Sequence, residues 1–178
     1  MKEVKRIESQ QLIKATSRIV SLLCDQHFDT ENLLVIGIAD GGIAFSQILA
    51  NRLGSALGKN IACGTVNISF HRDDIERKPI PRSTNPTSIP LDIEGSHIIL
   101  ADDVIFSGRS VRAAINEIFD IGRPAMIELA ILCDRGNRRL PIQPNYLGFE
   151  EKTNPQQKIE VHMNPINELE NILVIFDQ

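Results

Sequence analysis

The stretch IILADDVIFSGRSV, residues 98–111, decides how the rest of the chain is read. Its first four residues form a short continuous apolar run, the pattern of a strand buried on both faces. The run ends in two adjacent carboxylates, Asp102 and Asp103, and residues 102–110 read as a turn. Ser107, Gly108, Arg109 and Ser110 follow three apolar residues. The spacing of Val111, Ala114, Ile115, Ile118 and Phe119 then predicts a helix, stopped by Gly122 and Pro124. Gly108 allows backbone N–H groups to come close to an anion. Ser107 and Ser110 add hydroxyl donors. The helix start and Arg109 add positive charge. Together these make a cradle for a phosphate monoester. Asp102 and Asp103 cannot bind that phosphate. They are placed to accept hydrogen bonds from sugar hydroxyls or to help hold Mg²⁺. Either half alone reads as a helix cap or a solvated turn; the two in one register are far more specific.

Outward from this stretch the same alternation repeats. Residues 33–38 (LLVIGI) read as a second buried strand, entering a tight turn at 39–42. Phe45, Ile48, Leu49, Leu53 and Ala56 then give a helical stripe closed by Gly58. Upstream, Ser9 is placed to cap a helix carrying Leu12, Ala15, Ile19, Leu22 and Leu23. Val66, Ile68 and Phe70 alternate with polar residues and predict a strand, and 127–133, 159–163 and 172–176 predict three more. Strands alternating with helices imply an α/β fold, a mainly parallel twisted sheet flanked by helices, in a single domain over residues 1–178. Sites in such sheets form at the C-terminal ends of strands, so the turns at 39–42 and 102–110 stand out. The turn Ala39-Asp40-Gly41-Gly42 has two readings. It is a strand-to-helix turn with Asp40 as helix cap, or an anion loop in which the N–H groups of Gly41 and Gly42 bind. Residues 72–90 are polar, hold Pro79, Pro81, Pro86 and Pro90, and show no periodicity, which predicts a mobile lid.

Composition narrows the function. A formal net charge of −4 argues mildly against nucleic acid as the main ligand, and one Tyr with no Trp leaves no stacking platform for single strands. Cys24, Cys63 and Cys133 are far apart and odd in number, which fits a reducing compartment. His27, His71, His97 and His162 lack metal-ligand spacing, so no protein metal centre is read. The first residues have no signal-like apolar run and no segment is long enough to span a bilayer. The expectation is a cytoplasmic protein without membrane contact.

LADDVIFSGRS resembles the phosphoribosyl pyrophosphate (PRPP) motif of type I phosphoribosyltransferases. The resemblance runs along almost the whole chain. Ser110 to Ala114, Gly122-Arg123-Pro124, Cys133 to Ile142, Arg72-Asp73-Asp74 and Ile89 to Ile93 are similar to the pyrimidine operon attenuator/uracil phosphoribosyltransferase (PyrR) family. That resemblance implies the type I phosphoribosyltransferase fold with a small base-binding hood, formed by the N-terminus and roughly residues 140–178. It implies that Asp102 and Asp103 hold the ribose hydroxyls of PRPP, that Ser107, Gly108, Arg109 and Ser110 hold its 5-phosphate, and that Asp40, Gly41 and Gly42 line the pyrophosphate. Arg72 would act in catalysis from the closing loop, with Asp102 and Asp103. Tyr146, Leu147, Ile159, Glu160 and Val161 would grip the base. Mg²⁺ would enter with PRPP. The implied activity is uracil phosphoribosyltransferase, in a homodimer or homotetramer. Two alternatives are an RNA-binding attenuation regulator of pyrimidine genes that senses UMP or PRPP, with Arg138 and Arg139 on leader RNA, and a purine-salvage or catalytically degenerate PRPP-binding protein. Three departures matter. The turn at 39–42 lacks the Lys and Arg expected of the family. Gly148-Phe149-Glu150-Glu151 replaces Gly-Lys-Asn. Gln143 stands where an Arg is expected, with Ser17 and Ser21 neutral on the first helix.

Overall fold

The structure, a computed structural model, describes residues 1–69 and 85–177. Arg72, Phe70 and most of the expected lid therefore lie outside the described residues. In chain order the elements are β1 (Lys2–Ile7), α1 (Ser9–His27), β2 (Leu33–Ile38), α2 (Gly42–Leu57), β3 (Ala62–Val66), β4 (His97–Ile105), α3 (Arg109–Ile121), β5 (Met126–Asp134), β6 (Tyr146–Glu150), β7 (Gln157–His162), a short 3₁₀ turn (Glu168–Glu170) and β8 (Ile172–Asp177).

Five strands form a parallel sheet in the order β3-β2-β4-β5-β6. β2 is buried throughout because both its faces are covered. Leu33 and Val35 join the core under α1 and α2, while Leu34, Ile36 and Ile38 join the core under α3. This is why β2 reads as an unbroken apolar run rather than an alternating one. From β2 the chain crosses through α2 outward to β3; from β4 it crosses through α3 the other way to β5. The direction of winding reverses between β2 and β4, and crevices for ligands open at such reversals. A second, antiparallel sheet, β1-β8-β7, joins the first strand to the last two.

Four expectations need correction. Residues 102–105 are not a turn: β4 continues through Ile105, paired with β5 as far as Asp134, so the acidic pair is held in a strand. The strand expected around Val66–Phe70 lies earlier, at Ala62–Val66, where five residues pair with β2; Ile68 is buried beyond its end. Glu8, not Ser9, occupies the N-cap of α1, and makes no side-chain cap bond. Finally, β1 and β6 escaped the sequence reading. β1 is mostly exposed and highly charged, and β6 is five residues long with Gly148 at its centre.

Part of the expected lid can be placed. Thr65 and Ser88 exchange two backbone hydrogen bonds, Thr87 Oγ1 accepts from Asn67 N and donates to Glu117, and Asn67 Nδ2 donates to Asn85 O. Residues 85–88 are thus fastened to the end of β3, and a lid over 72–90 would have to be shorter at this side. Among the described residues no helix is long and apolar enough to cross a membrane.

Candidate active site

The winding reversal brings the two turns singled out in the sequence side by side. Gly37 of β2 pairs with Ala101 of β4, so the chain leaving β2 at residues 39–42 passes directly beside Asp102 and Asp103. The fit is close. A methyl group at Gly41 would lie 2.7 Å from Asp103 Oδ1 and 2.9 Å from Oδ2, and one at Gly42 would strike the Ala101 carbonyl and lie 3.2 Å from Asp102 Oδ1. Glycines stand here for lack of space, since Gly41 has ordinary helical dihedrals. The Ala39–Asp40 peptide is cis. Gly41, not Asp40, occupies the N-cap of α2, without a side-chain cap bond, so the capping reading of Asp40 does not hold. The Asp40 carboxylate instead accepts from Asn85 Nδ2 at 2.9 Å.

Asp102 is 8 % exposed. Burial, then the neighbouring Asp103 charge, pushes its carboxyl well above the usual range; burial also raises Asp103. Two such carboxylates are held ready for something that neutralises them, either hydroxyl donors or a cation. Among the described residues no three His, Cys, Asp or Glu side chains are grouped to hold a metal. The pair therefore fits a Mg²⁺ ion only if water and ligand oxygens complete its shell.

The Ser107–Ser110 turn, expected to cradle a phosphate, follows three residues on. Gly108 caps α3 with φ 87°, the left-handed region that favours glycine. Ser107 Oγ accepts from Arg109 N at 3.4 Å, a long bond easily exchanged for an anion. Arg109 and Ser110 are exposed at the helix start, where N–H groups and the helix dipole favour negative charge. The loop after β5 forms the outer wall: Leu140 and Ile142 lie 3.5 Å from where a Gly108 methyl would be.

The residues expected to grip the base fall in two sheets, Tyr146 and Leu147 in β6 and Ile159, Glu160 and Val161 in β7. Tyr146 and Leu147 start β6, paired with Ala130 and Ile131, so they lie toward the strand's beginning rather than its end. The Tyr146 hydroxyl donates to Glu128 Oε1 at 2.9 Å and lies 3.3 Å from His27 Nε2, which is itself 2.8 Å from Glu128 Oε2. This is a buried polar knot joining α1, β5 and β6. Tyr146→Phe is therefore expected to lower stability by about 1–2 kcal/mol, the scale of one unmade buried hydrogen bond. The Michaelis constants should not change; denaturant titration and steady-state kinetics together check both. Ile159, Glu160 and Val161 lie in β7 of the small sheet, with Glu160 bonded to Lys158.

A wall next to the acidic pair was missed. The Arg135 guanidinium lies over the Phe106 ring at 4.3 Å and donates to Thr153 Oγ1 and to the Gln157 carbonyl. Both residues end sheet strands on the site's side, and an aromatic just before a glycine turn was the available signal. Of the two arginines expected on RNA, Arg139 is exposed, but Arg138 is half-buried and its guanidinium is spent on the protein itself. That pairing argues against Arg138 as an RNA contact.

A parallel sheet with an acidic pair at its winding reversal, followed by a glycine turn at a helix start, defines a type I phosphoribosyltransferase. The chain belongs to the phosphoribosyl transferase domain family, matched over residues 3–165, and within it to the PyrR group. It is 34 % identical to the bifunctional protein PyrR of Gloeothece citriformis, over 92 % of each chain. It is also 34 % identical to that of Listeria monocytogenes serovar 1/2a, over 98 % of this chain and 97 % of the relative. Among solved structures, a Trypanosoma cruzi hypoxanthine phosphoribosyl transferase superposes with a TM-score of 0.71 at 16 % identity, covering 98 % of this chain and 92 % of its own. A hypoxanthine-guanine phosphoribosyltransferase from Bacillus anthracis gives 0.64 at 18 % identity over 88 % of each chain. At such identities the likeness is one of fold.

Proposed function

We propose that the protein transfers the phosphoribosyl group of PRPP to uracil, giving UMP and pyrophosphate. The observation that carries this is the buried Asp102–Asp103 pair, wedged against the Gly41-Gly42 turn and three residues from the phosphate cradle. The base is taken from membership of the PyrR group. Asp102 and Asp103 accept hydrogen bonds from the ribose hydroxyls, Ser107–Ser110 hold the 5-phosphate, and the N–H groups of Gly41 and Gly42 face the pyrophosphate. Asp102 and Asp103 would help hold a Mg²⁺ ion brought in with PRPP, which would supply positive charge to the leaving pyrophosphate. The ribose carbon becomes oxocarbenium-like as pyrophosphate departs, and the protein's part is positioning and charge stabilisation rather than covalent attack. The whole reaction is housed in one domain, with the β1-β8-β7 sheet as the hood on the base side. Arg72, outside the described residues, is proposed to bring positive charge to the pyrophosphate.

A base-by-base assay with PRPP and Mg²⁺ tests this. UMP should form from uracil, and faster than any purine nucleotide from its base. Turnover of hypoxanthine or guanine but not uracil would assign the protein to purine salvage; PRPP binding without turnover of any base would mark it as degenerate. A second reading, attenuation through pyrimidine leader RNA, draws on the same family membership and on the exposed Arg139. Salt-sensitive binding to such a leader, strengthened by UMP, would support it.

A further inference from the structure

Arg138 sits in the loop after β5, beside the phosphate cradle but pointing away from solvent. Its Nη1 donates to the Phe106 carbonyl at 2.7 Å, its Nε to the Ile142 carbonyl at 2.9 Å, and its Nη2 to the Asp134 carboxylate. The backbone beside it does the same for the next peptide. Arg139 N and Leu140 N both donate to the Ser107 carbonyl, at 3.0 and 3.2 Å. The two consecutive carbonyls that lead into the cradle, at 106 and 107, are thus both tied to one loop.

Carbonyl direction decides what such a turn can bind. A carbonyl turned toward an anion repels it, whereas one tied back leaves the N–H groups and hydroxyls facing the ligand. Gly108, in the left-handed region, gives this segment unusual freedom to rotate its peptides, so the outside ties are what select one arrangement. A planar guanidinium with five fixed donors can hold two carbonyls and a carboxylate at once; an ammonium is a compact point charge and cannot reproduce that fork. The Asp134 carboxylate offsets the charge of Arg138, which removes long-range attraction for phosphate as its main contribution.

We propose that Arg138 is a positioning residue for the phosphoribosyl transfer: it fixes the Phe106 carbonyl directly and, by holding its own loop at the Ile142 carbonyl, keeps the Arg139 and Leu140 N–H groups on the Ser107 carbonyl, so that the Ser107–Ser110 turn presents only donors to the 5-phosphate. This rests on the reading of that turn as the 5-phosphate site. It acts on PRPP alone and leaves the base untouched.

The test uses Arg138→Met and Arg138→Lys in the full chain, with Ser110→Ala and the Asp102→Asn, Asp103→Asn double variant as markers of the site. PRPP–Mg²⁺ affinity is measured by titration calorimetry, and kcat with both Michaelis constants by assay. Arg138→Met should raise the PRPP constant roughly 10- to 100-fold, the scale of a small misplacement in a preorganised site. The Michaelis constant for uracil should stay unchanged. Arg138→Lys should recover only part of the loss, because one carbonyl at most regains its donor. Equal damage to both constants, or full recovery with Lys, would overturn the proposal, since general destabilisation or charge alone would then explain the effect. If Arg138→Met does not fold, the Lys variant decides: a selective PRPP loss supports the proposal, and wild-type PRPP affinity overturns it. If Ser110→Ala and the aspartate pair lose PRPP but the Arg138 variants do not, the site reading stands and the positioning role falls. If none of them loses PRPP, the phosphate-site reading itself fails.

Discussion

Asp102→Asn combined with Asp103→Asn should abolish PRPP binding and at the same time make the protein harder to unfold. The binding loss follows from removing two charged acceptors from the proposed ribose site. At about 1.5 kcal/mol or more for each hydrogen bond to a charged group, affinity falls by more than roughly 100-fold. The stability gain follows from burial. Both carboxyls are raised in the folded protein, chiefly by loss of solvent. Between the unfolded carboxyl value and the raised folded one, the folded state holds more protons than the unfolded state. Stability therefore falls as pH climbs through that window. Asparagine carries no charge to bury, so the variant should gain about 0.5–2 kcal/mol at pH 7, as is common when a functional strain is relieved. The gain should fade below about pH 4, where free aspartates protonate. Calorimetric titration with PRPP–Mg²⁺ and thermal unfolding from pH 3 to pH 8 measure the two effects. Unchanged PRPP affinity would put the ribose elsewhere, and a less stable variant at pH 7 would contradict the account of burial.

The second large effect concerns Asp40. Asp40 precedes Gly41, where an added methyl would meet the Asp103 carboxylate, so if pyrophosphate lies against this turn, as proposed, Asp40 opposes its charge. Asp40→Thr removes one negative charge and keeps a hydroxyl near Asn85, whose Nδ2 donates to Asp40. The expected gain is on the order of 1–3 kcal/mol, the scale of one charged hydrogen bond, or roughly a 5- to 150-fold rise in kcat/KM for PRPP. Steady-state kinetics at saturating uracil reads it directly. A fall would show that Asp40 is used, most simply as a ligand to Mg²⁺ or to a bound water. Rebuilding the family's loop with Gly41→Arg as well is not a useful companion here, because any side chain at that position meets the Asp103 carboxylate.

The parts of this protein that could be read from sequence are those where local physics and global fold agree. β2 and β4 are apolar on both sides, and their helices carry clear stripes, so a parallel α/β sheet and its two important turns were legible. The acidic pair and the glycine turn at a helix start were legible as local features too, because they fall within nine consecutive residues. What failed depended on pairing. Nothing local says that Asp102–Ile105 stays extended; that follows from the register with β5, eight residue pairs long. β1 looks like a charged surface segment because β8, its ladder partner among the described residues, is far away in the chain. The bonds of the Tyr146 hydroxyl could not be read locally either, because His27 and Glu128 are supplied by other elements. The partners of Arg138 at 106 and 142 were hidden in the same way, since they lie in loops whose meeting is set by the fold.

The pairing of β1 with β8 also has a consequence for how the protein is made. Every strand of the parallel sheet exists once residue 150 has been synthesised, but β1, which emerges first, can pair only when residues 173–177 are added. At about 5–20 residues per second, that strand waits on the order of ten to thirty seconds with both its edges open. A nascent strand left unpaired for so long invites annealing with neighbouring chains on the same messenger. The sequence KEVKRI answers that hazard: Lys2, Glu3, Lys5 and Arg6 keep the waiting segment hydrated and unattractive to other strands until its own partner leaves the ribosome.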